Sequence, residues 1–193
     1  MTWTNTTRGR ALDLLAPLPD DIDIEEIALA LGNQCRYAGC VRRFYSVAEH
    51  SVHIAAWLEW EHDDLDLTLG GLLHDAAEAY TGDITWPVQA VLWSQSEAAR
   101  AAYKQAQALL DTLIAARAGL DPERLTDPRV KDADMRILLD ERAALLTRAG
   151  RPWVVDGMEP LGVDIEGWGP AEAGQRWLTV YREIQARREV VDG

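Results

Sequence analysis

The residues best suited to chemistry sit in one short string, HDAAEAYTGD, which carries His74, Asp75, Glu78 and Asp83. Imidazole and carboxylate groups within a turn or two of one another are the groups that hold divalent metals and move protons. Around the string, Leu69, Leu72, Leu73, Ala76 and Tyr80 recur at helical spacing, so His74, Asp75 and Glu78 fall on the opposite face of the same helix. Gly70 and Gly71 share that face. A glycine inside a helix costs about 1 kcal/mol relative to alanine, so two of them point to a lined cavity there rather than open solvent.

Two more residues stand out against the periodicity of their helices. His50 flanks the apolar stripe of the preceding helix, one turn before Ile54 and two before Trp57; taken alone it reads as a satisfied core histidine. His53 lies beside Glu49 and Trp60 and takes no role. In VKDADMRILLDERAAL, Asp134 stands four residues after Val130 and three before Ile137, within the stripe that Leu138 and Glu141 also border, whereas Asp132 points roughly opposite. A carboxylate in a buried stripe needs a partner or a metal. His50, His74, Asp75 and Asp134 together make a mixed nitrogen and oxygen set suited to a divalent transition metal, with coordination positions left for water and substrate.

The elements that must position these residues read as helices. Residues 1–22 form an irregular lead-in, with Pro17 and Pro19 arguing against regular structure. A helix over 23–32 places Ile24, Ile27, Ala28 and Leu31 on one face, and a loop over 33–45 carries Arg36, Arg42 and Arg43. Ser46 and Glu49 form a capping box that opens a helix to about Trp60. The motif helix runs from Leu69 to the glycine at 82. Pro87 marks a turn or a short helix, Ser94 and Glu97 suggest a second capping box for a helix through Arg117, and Asp127-Pro128 opens a helix to about 148. A Gly- and Pro-rich stretch leads to a last helix over roughly 170–189, which packs Trp177, Tyr181 and Ile184. No run alternates apolar and polar residues for long, so no strand is expected and the chain reads as all-α.

Composition narrows the partners. The 193 residues suit one domain spanning 1–193, with a core over about 23–148 and a C-terminal extension over 149–193. A formal charge of −13 opposes binding of a nucleic-acid polymer across a broad face, while leaving room for a small anion in a local cationic pocket. No apolar run approaches the ~18–20 residues of a membrane span. Cys35 and Cys40 are half a zinc site with no second pair, and read as reduced thiols of a cytoplasmic protein.

The residues His50 (in YSVAEHS), His74-Asp75 (in GLLHDAAEAYTGD) and Asp134 (in VKDADMRILLDE) resemble the motif of the HD-domain phosphohydrolase superfamily. The similarity runs in order from residue 1 to about 148. It is closest to the small single-domain branch that contains bacterial deoxyribonucleoside 5′-monophosphatases and viral dATP triphosphohydrolases. The resemblance implies a bundle of about five core helices, here with an added C-terminal helix, and one divalent metal such as Co²⁺, Mn²⁺ or Zn²⁺ on His50, His74, Asp75 and Asp134. It implies that Glu78 and Asp83 assist catalysis, and that the protein is a homo-oligomer, for which eight tryptophans supply interface material. One departure is Cys40, where relatives often carry a histidine.

The expected activity is hydrolysis of the 5′ phosphate ester of a nucleotide, either a monophosphate or a dNTP such as dATP. Glu78 would accept a proton from water and Asp83 would donate one to the leaving oxygen, or the two roles exchange. Arg36 is expected to clamp a phosphate. Tyr37 and Trp86 are expected to stack on the base. Alternatives are HD-type hydrolysis of another phosphoester, a cyclic nucleotide or an alarmone, and a non-catalytic metal-binding helical module. A ferritin-like di-metal protein needs two E-x-x-H strings, and only Glu59 with His62 supplies one.

Overall fold

A computed structural model describes residues 1–147 and 149–192, and its fold is all-α with one small β-hairpin. The hairpin corrects the expectation of a strandless lead-in. Strands β1 (Trp3–Asn5) and β2 (Ala11–Asp13) pair antiparallel, with Trp3 opposite Asp13, Thr4 opposite Leu12 and Asn5 opposite Ala11. Three residues a strand are too few to show an alternating pattern, and Leu12 alone is buried deeply. The hairpin is pinned from outside: Glu26 of the first helix accepts hydrogen bonds from the Thr7 hydroxyl and the Arg8 backbone N–H.

Helix α1 (Ile24–Asn33) starts where the Asp23 carboxylate accepts from the N–H groups of Glu25 and Glu26. Helix α2 (Val47–His62) is capped by Ser46, whose hydroxyl accepts from Glu49 N–H at 3.0 Å. The reciprocal half of that capping box does not form. The buried Glu49 carboxylate instead accepts from the backbone N–H groups of Glu166, Gly167 and Trp168 at 2.7–3.0 Å, tying the start of α2 to the segment before the last helix.

Helix α3 (Leu65–Leu73) carries the motif's first half, but the motif helix is not continuous. After Leu73 the chain passes through turns over 74–77 with short i→i+3 bonds, Ala76 to Leu73 and Glu78 to Asp75, before one further turn of helix, α4 (Glu78–Thr81). Apolar side chains keep their spacing through this break, which is why periodicity did not reveal it. Helix α5 (Trp86–Gln95) has Pro87 in its first turn, and α6 (Glu97–Arg117) is capped by Ser96, accepting from Ala99 N–H at 3.1 Å, not by Ser94. Helix α7 (Pro128–Leu145) opens at Asp127 as expected and ends where Leu146 turns extended; the limit expected at 148 falls on Arg148, outside the described residues, as does Gly193. Helix α8 (Pro170–Asp192) closes the fold.

Helix α3 is surrounded by α2, α8 and the 3-10 segment Pro122–Thr126, with Leu69, Leu72 and Leu73 fully buried. Gly70 and Gly71 make that close packing possible, which corrects the reading of a glycine-lined cavity. A Cβ on Gly70 would sit 2.5 Å from the Arg124 carbonyl oxygen, and one on Gly71 would sit 2.4 Å from Leu58 Cδ1. Helix α8 lies across α1 and α2 and sends Trp177 and Ile184 into the same core, with the Trp177 and Tyr181 rings stacked at 5.9 Å. Helix α7 packs on α2 through Val130, Ala133 and Ile137 against Ile54 and Leu58. Among the described residues no helix is long and apolar enough to cross a membrane.

Candidate metal centre

Helices α2, α3 and α7 bring His50, His74 and Asp134 to one point, where a ligand atom from each lies within 4.8 Å of the others. This group can hold a metal ion. His50, in the first turns of α2, is fully buried. Its Nδ1 lies 2.6 Å from Glu141 Oε1, and a carboxylate there fixes the proton on Nδ1. The Nε2 lone pair is thereby left facing the cluster. His74, just past the end of α3, donates its Nδ1–H to the Gly71 carbonyl at 2.8 Å, which turns its Nε2 to the cluster as well. Neither Nε2 atom makes a hydrogen bond, although both are buried. Two buried imidazoles, each oriented from behind through Nδ1 and turning Nε2 to the cluster, are the arrangement a metal ligand requires once Nε2 carries no proton.

The carboxylates complete the cluster. Asp75 Oδ2 lies 3.2 Å from His74 Nε2 and 3.6 Å from His50 Nε2. Asp134 Oδ1 lies 3.4 Å from His50 Nε2, while its Oδ2 is held by Lys131 Nζ at 3.1 Å. Asp134 is half-buried rather than inside the stripe, because Val130, Ala133 and Ile137 take the packed face and leave Asp134 at its edge. Burial works against both charges. Even so, the rings of His74 and His50 draw Asp75 down to about 2, and His50 with His74 holds Asp134 well below the carboxylate range. The reciprocal effect appears on His74: burial opposes its charge, yet Asp75, and then Asp134, raise it to about 9.

Glu78 and Asp83 flank α4, and Gln34 ties its two ends together. The Gln34 amide donates to the Glu78 carbonyl at 2.8 Å and accepts from Asp83 N–H at 3.1 Å. Burial, followed by the charges of Asp75 and Asp83, pushes Glu78 up to about 10, and Glu78 Oε2 has no hydrogen-bond partner. Burial also raises Asp83, against the pull of Arg36.

Arg36 and Tyr37 occupy the 3-10 segment Arg36–Gly39. Arg36 Nη1 lies 3.4 Å from Asp75 Oδ2, and its Nε lies 3.6 Å from Glu141 Oε1. Tyr37 adopts a left-handed backbone, φ 58°, and its hydroxyl donates to Glu141. A cavity of about 700 Å³ opens beside the cluster, lined by Arg36, Tyr37, Asp83, Trp86, Lys131 and Asp134, with Met135, Leu138 and Trp153 on its apolar side. All three residues expected to bind substrate, Arg36, Tyr37 and Trp86, therefore share one cavity with a residue of the metal group. Arg42 and Arg43 do not line it; Arg42 donates to the Ala143 carbonyl at 3.0 Å and Arg43 to that of Ile165.

Four residues around the site were not assigned roles from sequence: Glu141, Gln34, Lys131 and Trp153. Glu141 carried the same signal as Asp134, a carboxylate bordering a buried apolar stripe, and it is fully buried. The others stand at a helix end, on a first turn and in a loop, where periodicity says nothing.

No family model matches the sequence. The chain is 37% identical over 136 residues to an uncharacterized protein, YfdR, of Escherichia coli (strain K12), a match covering 70% of this chain and 68% of YfdR. It is 39% identical over 94 residues to an uncharacterized Rhodobacter capsulatus protein, RCAP_rcc00048, covering 47% of this chain and 48% of that protein. At that identity and coverage, the chain belongs to the same family as YfdR.

Proposed function

We propose that this protein is a metal-dependent phosphohydrolase of the HD type that cleaves the 5′ phosphate ester of a nucleotide, a 2′-deoxynucleotide first among candidates. One observation carries the reading: the Nε2 atoms of His50 and His74, oriented by Glu141 and Gly71, converge with Asp134 at the wall of a cavity that also holds Arg36. The cavity's 700 Å³ falls within the roughly 300–1,000 Å³ of small-molecule sites. His50, His74, Asp75 and Asp134 would hold the cation. A divalent ion supplies Lewis acidity toward a phosphoryl oxygen and toward water.

The chain's own groups account for the rest. Arg36, braced by Asp75 and Glu141, presents a fixed cationic fork to a phosphate entering the cavity. It offsets the field of a protein whose formal charge is −13. Tyr37 and Trp86 supply flat apolar surface for a base. Glu78, the more strongly protonated of the two spare carboxyls, is suited to donate to the leaving oxygen, and Asp83 to accept a proton. A dication held beside them would lower the pKa of both carboxyls, that of Glu78 from the higher starting point.

The test is purified protein incubated with Mn²⁺, Co²⁺ or Zn²⁺ and a panel of deoxynucleoside and ribonucleoside mono- and triphosphates, with cyclic nucleotides and an alarmone included. Release of phosphate or triphosphate from a nucleotide supports the reading. Turnover confined to the cyclic or alarmone members reassigns the substrate. Metal binding with no turnover of any member leaves a metal-binding helical module.

A further inference from the structure

Helices α7 and α8 are joined by 24 residues, 146–169, which form no helix or strand among the described residues. Connections longer than about 12–15 residues without secondary structure are uncommon in a compact domain, and they either serve a site or are unstructured linkers. This one is held in place by a row of side chains on α7. Arg136 donates to the carbonyls of Glu159 and Pro160 at 2.9 and 3.3 Å, and the Asp140 carboxylate accepts from Leu161 and Gly162 N–H at 2.9 and 3.2 Å. Arg142 Nη1 lies 2.6 Å from Asp156 Oδ1.

The two halves of the segment do different things. The later half covers the core, with Ile165 and Trp168 buried. Residues 152–154 do not: Pro152 and Val154 are exposed, Trp153 is half-buried, and all three line the cavity beside Asp134. Trp153 is nevertheless fixed. Its N–H donates to Asp156 Oδ2 at 2.9 Å, and its carbonyl accepts from Asp156 N–H at 3.0 Å, which closes a turn on the residue that Arg142 holds. The Arg142 guanidinium carbon stands 5.1 Å from the centre of the indole, and the Tyr37 ring lies 6.3 Å away, tilted by 35°. Val155, the next residue, is fully buried.

We propose that Trp153 is a base-binding residue of the site: its indole stacks on the base of a nucleotide whose phosphate lies at Arg36, and the 146–169 segment is ordered on α7 to hold it there. The inference rests on the nucleotide reading above and adds to it the residue that tells a nucleotide from a smaller phosphoester. The division of the cavity lining carries it. Arg36 and Lys131 stand against Asp75 and Asp134, at the metal group, whereas Trp153 stands against Tyr37 and Arg142. Met135 and Leu138 of α7 extend that apolar lining. An indole face offers its area to any flat π system, and the base is the flat part of a nucleotide.

The experiment is competitive inhibition of nucleotide turnover by two fragments of the substrate: inorganic phosphate, and the nucleoside of the best nucleotide in the panel. Wild type is compared with Trp153→Ala and Trp153→Phe. Loss of a stacking partner weakens binding of a base by about 5–150-fold, so Trp153→Ala should raise the inhibition constant of the nucleoside by that factor and leave that of phosphate in place. Trp153→Phe keeps a flat ring and should retain most of the nucleoside affinity. An unchanged nucleoside constant in Trp153→Ala overturns the inference while leaving the nucleotide reading standing, and so does a wild type that the nucleoside does not inhibit. Equal rises for both fragments, or equal losses in the two variants, mark a general disturbance of the cavity and overturn it as well. A wild type that turns over no nucleotide defeats the reading itself, and this inference with it.

Discussion

His50 Nδ1 lies 2.6 Å from Glu141 Oε1, and that contact decides which ring nitrogen faces the metal group. Glu141 is also the acceptor for the Tyr37 hydroxyl and lies 3.6 Å from Arg36 Nε. One buried carboxylate thus holds the His50 tautomer, a cavity-wall ring and the guanidinium of Arg36. Burial raises its pKa, but Arg36 and then His50 outweigh that effect and hold it below the ordinary glutamate value.

Replacing this carboxylate should separate metal binding from folding. Glu141→Gln keeps a neutral hydrogen-bonding group of the same shape and is expected to weaken Mn²⁺ binding by about 10–100-fold, the usual cost of losing a histidine-orienting carboxylate. Isothermal titration with Mn²⁺ measures it. Glu141→Leu removes the buried carboxylate beside Arg36 Nε and His50 Nδ1, leaving Asp75 as the nearby counter-charge of the guanidinium, and should cost up to about 3–5 kcal/mol in urea denaturation. Equal metal affinity in Glu141→Gln and wild type would mean that the contact does not orient His50.

The metal group was legible in the sequence mainly through the family resemblance: His50 alone reads as a core histidine and His74-Asp75 lie on a polar face, and only Asp134, beside Val130 and Ile137, stands against the pattern of its own helix. What sequence did not show depends on distances between elements. Gly70 and Gly71 look like cavity lining until Arg124 and Leu58 are placed against them. Glu49 fits a capping box until three N–H groups from residues 166–168 take its carboxylate. Ser94 and Ser96 carry the same chemistry two residues apart, and only the geometry at Ala99 chooses between them.

The two motif glycines should tolerate alanine unequally. At Gly70 the added methyl meets a backbone carbonyl at 2.5 Å, which cannot yield without moving the 122–126 segment. At Gly71 it meets the tip of Leu58, which can rotate. Gly70→Ala should therefore destabilise by about 1–3 kcal/mol from overpacking, despite a helix-propensity gain of about 1 kcal/mol. Gly71→Ala should cost less. Urea denaturation of both variants tests the order, and a stabilised Gly70→Ala would show that the site has more room than the packing allows.

Glu49 should control how firmly the segment before α8 is held. Glu49→Ala removes the acceptor for the Glu166, Gly167 and Trp168 N–H groups. Stranding a buried donor costs about 1–3 kcal/mol, which applies to the Trp168 N–H, whereas the N–H groups of Glu166 and Gly167 are only part-buried. His53, whose ring lies 5.3 Å from that of Trp168, would lose its packing partner's anchor. Hydrogen exchange is expected to accelerate at 166–168 and in the first turns of α8, with α7 unchanged. Uniform acceleration across the whole chain would instead mark a global loss of stability.

The pH dependence of the metal-free protein follows from two groups whose pKa values are raised in the folded state. Burial opposes charge on His74, but Asp75 and then Asp134 lift it from 6.5 to about 9. A group raised on folding stabilises fully below its unfolded value, and that contribution disappears as pH climbs through the folded value. For His74 the loss runs from pH 6.5 to about 9, and for Glu78, lifted by burial and then by Asp75 and Asp83, from 4.5 to about 10. Both slopes have the same sign, so the melting temperature without metal should fall steadily from pH 6.5 to 9. A cation competes with the His74 proton, so its affinity should rise by up to about tenfold per pH unit across that interval, one proton being displaced per ion. Differential scanning fluorimetry with and without Mn²⁺ at pH 6, 7, 8 and 9 reads both effects at once. The metal-induced rise in melting temperature is expected to grow as the metal-free value declines. A constant rise across the series would mean that His74 is not a ligand.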